Sequence, residues 1–403
     1  MGSHSDEVLV NVPTPVRTGA QGGSADRGAR QGDVIPAPAY RALRAAFDRG
    51  DGDTVLAQAQ AVLDQIEPDP SQAALVPAVV LLAGASLVGA ERYPEALAWL
   101  ARGRQLADDD PALVREIGTG ESFWLIELDL LLLTGRYRDA WDLLVPLSEP
   151  DRAVESRLGA TRAQVALSTT FGDHDRAYQL LNTAAGLAEQ LHSRPQEVAV
   201  DGDRAIVLAS SGRITEAAAF ADAVLPLLAR PGPGPRQAWA MAQAVTVATT
   251  VARLAAAQGD LATAERLLAA LSPIAAHGGS GRRYDTAQFA LARGAVWRDG
   301  GHVTEAEEPI AAARRTFLSL GCAPAAAQAQ LEEARLAQLR GYGASARPLF
   351  ERARAEFAVL GLTRQLSEID RALATIGSPR QPGPPGPPGR PAPPDRADPP
   401  SPN

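Results

Sequence analysis

The sequence predicts an all-α chain in which tandem helical hairpins stack into an α-solenoid, and three observations predict it. Residues 301–317, GHVTEAEEPIAAARRTF, and 341–357 repeat one pattern: a Gly opens a turn, an Ala follows five residues later, and an apolar residue follows four after that. The two copies place Gly301, Ala306 and Ile310, then Gly341, Ala346 and Phe350. The same offsets recur in Gly135, Tyr137, Ala140 and Leu144; in Gly172, His174, Ala177 and Leu181; in Gly212, Ile214, Ala217 and Ala221; and in Gly259, Leu261, Ala264 and Leu268. A repeated unit that can bury its apolar face only against its neighbours implies a solenoid. Finally, 45% of residues are hydrophobic but only 5% are aromatic, so Ala, Leu and Val must fill the core, which favours thin, closely stacked helices.

In chain order, residues 1–35 are rich in Gly, Ser, Pro and charge and predict a disordered tail. Within it EVLVNV, residues 7–12, alternates like a strand; it reads either as a segment that adds to a partner's sheet edge or as plain tail. The solenoid is expected over residues 36–376. Its first hairpin has one stripe through Ala42, Leu43, Ala46 and Phe47 and a second through Val55, Ala59, Val62, Leu63 and Ile66, closed by Pro68 and Pro70; it departs from the later repeats and reads as an N-terminal cap. The first clear repeat then carries Gly84, which lets two helices approach, with Leu87, Tyr93, Ala96 and Leu100 on the packed face. Near residues 231–236, RPGPGPRQ interrupts helix and is either a hinge between two half-solenoids or a long loop. Leu366, Ile369, Leu373 and Ile376 share one face of a capping helix over residues 362–376. Beyond it, residues 377–403 are too Pro-rich for helix or sheet and predict an extended, disordered tail, read as a solubilising segment or as a polyproline ligand for an aromatic groove.

These repeats resemble the tetratricopeptide repeat family over roughly residues 75–360. Gly84 and Gly294 match the small residue midway along that family's first helix, with Trp297 three residues after the latter, and the turn Gly, the apolar residue two later and the buried Ala match the rest. The Ala positions 96, 140, 177, 217, 264, 306 and 346 are 44, 37, 40, 47, 42 and 40 residues apart, against a family period of about 34. That longer period, with endings such as RRTFLSLG and RAEFAVLG, is similar to the repeat arms of large bacterial transcription activators and signal-transduction ATPases. The chain has neither GxxxxGK[ST] nor a helix-turn-helix reader, so the similarity is to the sensing arm and not to the whole regulator. The resemblance implies a right-handed superhelix whose first helices line a concave groove.

All 39 basic side chains are Arg, and the formal net charge of -8 disfavours direct nucleic-acid binding, whose affinity comes largely from phosphate neutralisation. Cys322 is the only cysteine, which excludes an internal disulfide and a Cys-based metal site. The first 30 residues lack a signal-peptide pattern, and apolar runs such as residues 130–133 are far shorter than the roughly 20 residues of a membrane span; a cytoplasmic protein with no membrane partner is expected.

The chemistry-bearing residues point away from an enzyme. His4, His174, His192, His277 and His302 lack metal-ligand spacing, no G-x-S-x-G elbow is present, and acidic pairs such as Glu307 and Glu308 or the run 108–110 read as solvated helix-start charges. No catalytic, cofactor or metal site is therefore expected. What remains is the groove. Carried over from the family, its inward positions are Asp129, Arg162, Thr169, Thr249, Arg253, Gln288, Arg298, Gln328 and Arg335. The arginines are read either as bidentate partners for peptide carboxylates or as the polar half of amphipathic helices paired with nearby Asp and Glu. The expected role is a protein- or peptide-binding scaffold or adaptor; the alternative is a sensing or regulatory subunit for transcription or signalling that acts with a separate DNA-binding or catalytic chain.

Overall fold

In the computed structural model the described residues are 38–69, 72, 75–109, 120–228, 235–276 and 282–377, and among them the regular structure is helical, without a strand. The expectations for residues 1–35 with the segment 7–12, for the interruption near 231–236 and for the tail 377–403 lie outside the described residues, except that Pro235 and Arg236 already open a helix and Gly377 closes one. The helices form eight successive pairs and a final single helix: α1 (Pro38–Asp48) with α2 (Gly52–Ile66), α3 (Val76–Gly89) with α4 (Tyr93–Asp109), α5 (Gly120–Thr134) with α6 (Tyr137–Leu147), α7 (Val154–Phe171) with α8 (His174–Gln190), α9 (Arg194–Ser210) with α10 (Ile214–Leu228), α11 (Pro235–Ala257) with α12 (Leu261–Ala276), α13 (Arg283–Asp299) with α14 (Glu307–Leu320), α15 (Ala323–Leu339) with α16 (Gly343–Val359), and α17 (Thr363–Gly377). Each helix packs on its hairpin partner, and successive first helices pack on one another through the array. This is the α-solenoid of tandem hairpins that the repeats imply.

Turn chemistry explains why the hairpins form where they do. The predicted turn glycines Gly135, Gly172, Gly212, Gly259, Gly301 and Gly341 all have φ between 77° and 90°, a region a side chain makes costly. In each turn the N–H of the next residue donates to the carbonyl five residues back, as in Arg136 to Leu131 (2.8 Å), Asp173 to Ser168 (2.8 Å) and His302 to Trp297 (2.8 Å). That bond satisfies an orphan carbonyl at the end of the first helix and turns the chain back. In six of the eight hairpins the second helix then starts in one of two ways; after Gly301 and Gly341 stand His302 and Tyr342, which follow neither. Asp51, Asp173 and Asp260 accept the N–H of Thr54, Arg176 and Thr263 at 3.1 Å. Where Arg stands instead, it pairs with an acid three residues on: Arg92 with Glu95, Arg136 with Asp139, Arg213 with Glu216. These last pairs are exposed and contribute little to stability.

Five residues after each turn, Ala96, Ala140, Ala177, Ala217, Ala264, Ala306 and Ala346 have no exposed surface. Four residues further, Leu100, Leu144, Leu181, Ala221, Leu268, Ile310 and Phe350 are also buried. A methyl group at the first of these positions sets how near the two helices can lie. Gly294 shows the same limit from the first helix: a Cβ there would stand 2.6 Å from Ile310 Cγ1 and 3.2 Å from the Ala306 carbonyl. Gly103 and Gly159, which the repeat pattern did not single out, lie against Phe123 and Leu125 just as tightly.

Two expectations need correction, and the seventh pair differs from the others in where its second helix begins. The first hairpin follows the repeat register, because Gly50 has φ 77° and Val55 and Ala59 are buried, with Val in the Ala position. In the seventh pair, α14 begins only at Glu307, so Ala306 caps it instead of lying in its first turn. Pro309 has no N–H to return to the carbonyl of residue 305, which leaves that residue outside the helix. In addition, residues 240–257 of α11 are long and apolar enough to cross a membrane by composition, but 56% of that stretch is buried within the stack.

The stack also coils far enough to meet itself, about 190 residues further along the chain. The Glu91 carboxylate accepts the N–H groups of Arg283 (2.9 Å) and Tyr284 (2.6 Å), so a side chain from the α3–α4 turn caps α13. Tyr93 Oη lies 3.5 Å from Arg282, and Arg364 Nη1 lies 3.4 Å from His174 Nε2. One hydrophobic core accordingly runs through Tyr40, Leu82 and Phe123 and on through Leu291, Phe317 and Leu336. Cys322 is buried at this junction, where burial pushes its thiol up to about 12.

Two substitutions separate backbone strain from packing. Gly259→Ala adds a Cβ that meets nothing within 4 Å at φ 87°, and is expected to cost about 1–2 kcal/mol. Gly294→Ala is expected to cost about 1–3 kcal/mol by overpacking. Urea denaturation should show the second penalty, but not the first, shrinking in an Ile310→Ala background.

Candidate functional site

All nine predicted groove residues lie on first helices of the pairs: Asp129 on α5, Arg162 and Thr169 on α7, Thr249 and Arg253 on α11, Gln288 and Arg298 on α13, Gln328 and Arg335 on α15. Ion pairs join several of these first helices to one another. Arg162 Nε donates to Asp203 Oδ2 of α9 at 2.6 Å. Arg298 contacts Glu332 of α15, Arg335 reaches both Glu332 (2.9 Å) and Glu368 of α17, and Arg253 stands 4.0 Å from Glu332. Gln328 also donates to Glu332, at 2.8 Å.

Glu332 is the centre of this cluster and is fully buried. A carboxylate taken out of water is tolerable only with charged partners, and removing one partner of such a buried group typically costs about 3–5 kcal/mol. Three arginines, Arg253, Arg298 and Arg335, converge on Glu332, with Asp299 and Glu368 pairing Arg298 and Arg335 from the other side. Burial, with Arg335 and Arg364 nearby, lowers Arg253 to about 10. Burial also lowers Arg298 to about 10, against the pull of Asp299. Burial lowers Arg335 as well. All three guanidinium groups stay charged at neutral pH and repel one another. Arg253 and Arg335 keep 22% and 23% of their side chains open to solvent, whereas Arg298 keeps 4%.

A second cluster joins the two ends of the array. Asp129, Arg162 and Asp203 come from α5, α7 and α9, and Arg282 comes from the approach to α13. The Asp129 side chain reaches solvent, yet protein atoms crowd it. That crowding raises its carboxyl to about 6; Arg162 pulls the value back, Asp203 adds to the rise, and Arg282 opposes it.

The structure does not bring every predicted residue to an open wall. Thr249 is 2% exposed and its hydroxyl donates to the Val245 carbonyl of its own helix at 2.7 Å, so it offers a ligand nothing. Arg298 is buried among its partners. These two positions correct the expected wall, because both side chains are buried within the protein. Thr169 is half-buried with its hydroxyl donated to Val165 (2.7 Å), and Gln288 donates to Tyr284 Oη (2.8 Å). The carboxylates Asp203, Asp299, Glu332 and Glu368 were missed. For Asp203, its place on a first helix was the available signal. Among the described residues no group of three or more His, Cys, Asp or Glu side chains is arranged to hold a metal. His192 and His302 are exposed, while His174 is half-buried, and burial and then Arg364 lower its imidazole.

No family model matches the chain, and no curated protein matches it. Among solved structures it is similar to a Rap protein complexed with Competence and Sporulation Factor, at 11% identity and a TM-score of 0.49 over 84% of this chain and 96% of that one. It is also similar to the APC/C hetero-tetramer Cut9-Hcn1, at 12% identity and a TM-score of 0.30 over 83% of this chain and 71% of that one. Likeness at this level carries no information on ligand or partner, and the hairpin array rests on its own contacts.

Asp129 gives the inner face a pH dependence. A carboxyl raised when folded stabilises the fold while protonated, and that contribution is lost as pH climbs from about 4 to about 6. Urea titrations of the parent and Asp129→Asn should therefore diverge over that window, with the variant relatively more stable above it. Parallel curves would contradict the raised value.

Proposed function

We propose that the chain is a non-enzymatic scaffold that binds a peptide or protein segment along its inner face, and that it prefers segments carrying carboxylates. The observation supporting this most strongly is the Glu332 cluster. Three guanidinium groups, Arg253, Arg298 and Arg335, crowd the one fully buried Glu332 there, and Arg253 and Arg335 are both partly open to solvent. A carboxylate from a ligand would pair with the open guanidinium groups of Arg253 and Arg335 by their bidentate fork, in surroundings where water is scarce and such pairs are strong. The Asp129 cluster, further along the same face, would favour a basic group at the other end of the segment, and more so above about pH 6.

A regulatory role alongside a separate effector chain is a second reading, supported by the contact between the two ends of the array. A segment lying along the inner face would touch helices on both sides of the Glu91 cap, so its binding would be coupled to that contact.

Fluorescence polarisation with a panel of acidic, basic and neutral labelled peptides tests the proposal. Acidic peptides should bind best, and Arg253→Gln and Arg335→Gln should each weaken them about tenfold or more while the melting transition stays cooperative. Binding indifferent to both substitutions, or confined to basic peptides, would exclude this site.

A further inference from the structure

A different surface lies where the two ends of the array meet. The turn between α5 and α6, the end of α7 and the end of α16 enclose a cavity of about 480 Å³ lined by Tyr137, Trp141, Phe171, Val359 and Leu360, with Arg138 at its rim. Tyr137 and Trp141 are one turn apart on α6, and Tyr137 meets Phe171 edge to face with centroids 5.5 Å apart. Trp141 is 48% exposed, Phe171 42% and Val359 87%, an unusual concentration of open apolar surface in a chain with so few aromatics.

We infer that this aromatic cavity is a docking site for the chain's own Pro-rich segment, residues 378–403, bound in cis as a polyproline helix. The sequence of that segment, SPRQPGPPGPPGRPAPPDRADPPSPN, is the kind that grooves lined by aromatic rings hold, because its backbone is already extended and loses little freedom on binding. The geometry permits the return. Gly361 lines the cavity and α17 starts two residues later, so its 15 residues carry the chain about 22 Å away. At about 3.1 Å per residue, roughly seven extended residues retrace that distance. The run from Pro385 to Pro394 is then left to cross the aromatic surface. Asp395 and Asp398 follow it directly. Among the described residues Arg138, exposed on the rim, has no ion-pair partner, and these two acids would supply one. A tether this short gives an effective concentration on the order of millimolar, so even weak docking fills the site. Docking here does not depend on the inner face binding a peptide.

The full chain carrying Ala397→Cys, labelled with a dye that tryptophan quenches on contact, tests this; Cys322 is buried and does not compete for label. The dye should be quenched at all protein concentrations, and excess unlabelled peptide of residues 378–403 should release it. Trp141→Ala should abolish the quenching. Val359→Glu, at a site too exposed to disturb the fold, should weaken it by charging the opposite wall. An unquenched dye in the parent, or quenching that survives both variants, overturns the assignment. Quenching that grows with protein concentration places the segment on a second copy and overturns docking in cis.

Discussion

A left-handed turn residue followed five positions later by a small buried side chain, Ala in seven hairpins and Val55 in the first, is the constraint on which the stack rests. The turn closes the last carbonyls of the first helix and reverses the chain within two or three residues. The Ala then lets the second helix lie close enough for the next apolar residue to bury against it. Burying one such Leu or Ile contributes about 1.5–3 kcal/mol, and no hairpin keeps that contribution unless a neighbour covers its other face. The repeat is therefore the smallest stable element only in company.

Stacking has a consequence at long range. Hairpin stacks on hairpin until, after about 190 residues, the start of α13 meets the α3–α4 turn. At that point the left-handed residue is Glu91, with φ 57°, and not Gly. A side chain is needed there, because its carboxylate supplies the cap that α13 otherwise lacks: the residue before that helix, Arg282, provides no side-chain cap. The same stacking gathers Arg253, Arg298, Arg335 and Glu332 from three first helices into one cluster, dry enough to shift their titration and open enough at its edge to meet a ligand.

Local structure was legible in the sequence because its causes are local. Gly135, Gly172, Gly212, Gly259, Gly301 and Gly341 mark turns by conformational need, and the Ala five residues on marks contact within one hairpin. The candidate groove residues fell on the first helices because helical spacing alone decides that. Which of them stay open was not legible. Thr249 and Arg298 are buried, and their burial depends on how closely the neighbouring helices approach, a distance no residue spacing encodes. The Glu91 cap was invisible for a stronger reason: its partners lie 192 and 193 residues away, and neither end carries a motif for the other. Gly103 and Gly159 were overlooked because they stand outside the repeated offsets, where only the bulk of Phe123 and Leu125 makes them necessary.

The closure of the array on itself can be measured directly through hydrogen exchange at the amides of Arg283 and Tyr284. These lie in the first turn of α13, where no helical carbonyl precedes them, so their protection must come from Glu91. In the parent both amides should exchange slowly, and in Glu91→Ala both should exchange fast while amides within the α7–α8 pair stay protected. Equal exchange at these two amides in parent and variant would contradict the closed array and the shared inner face that depends on it.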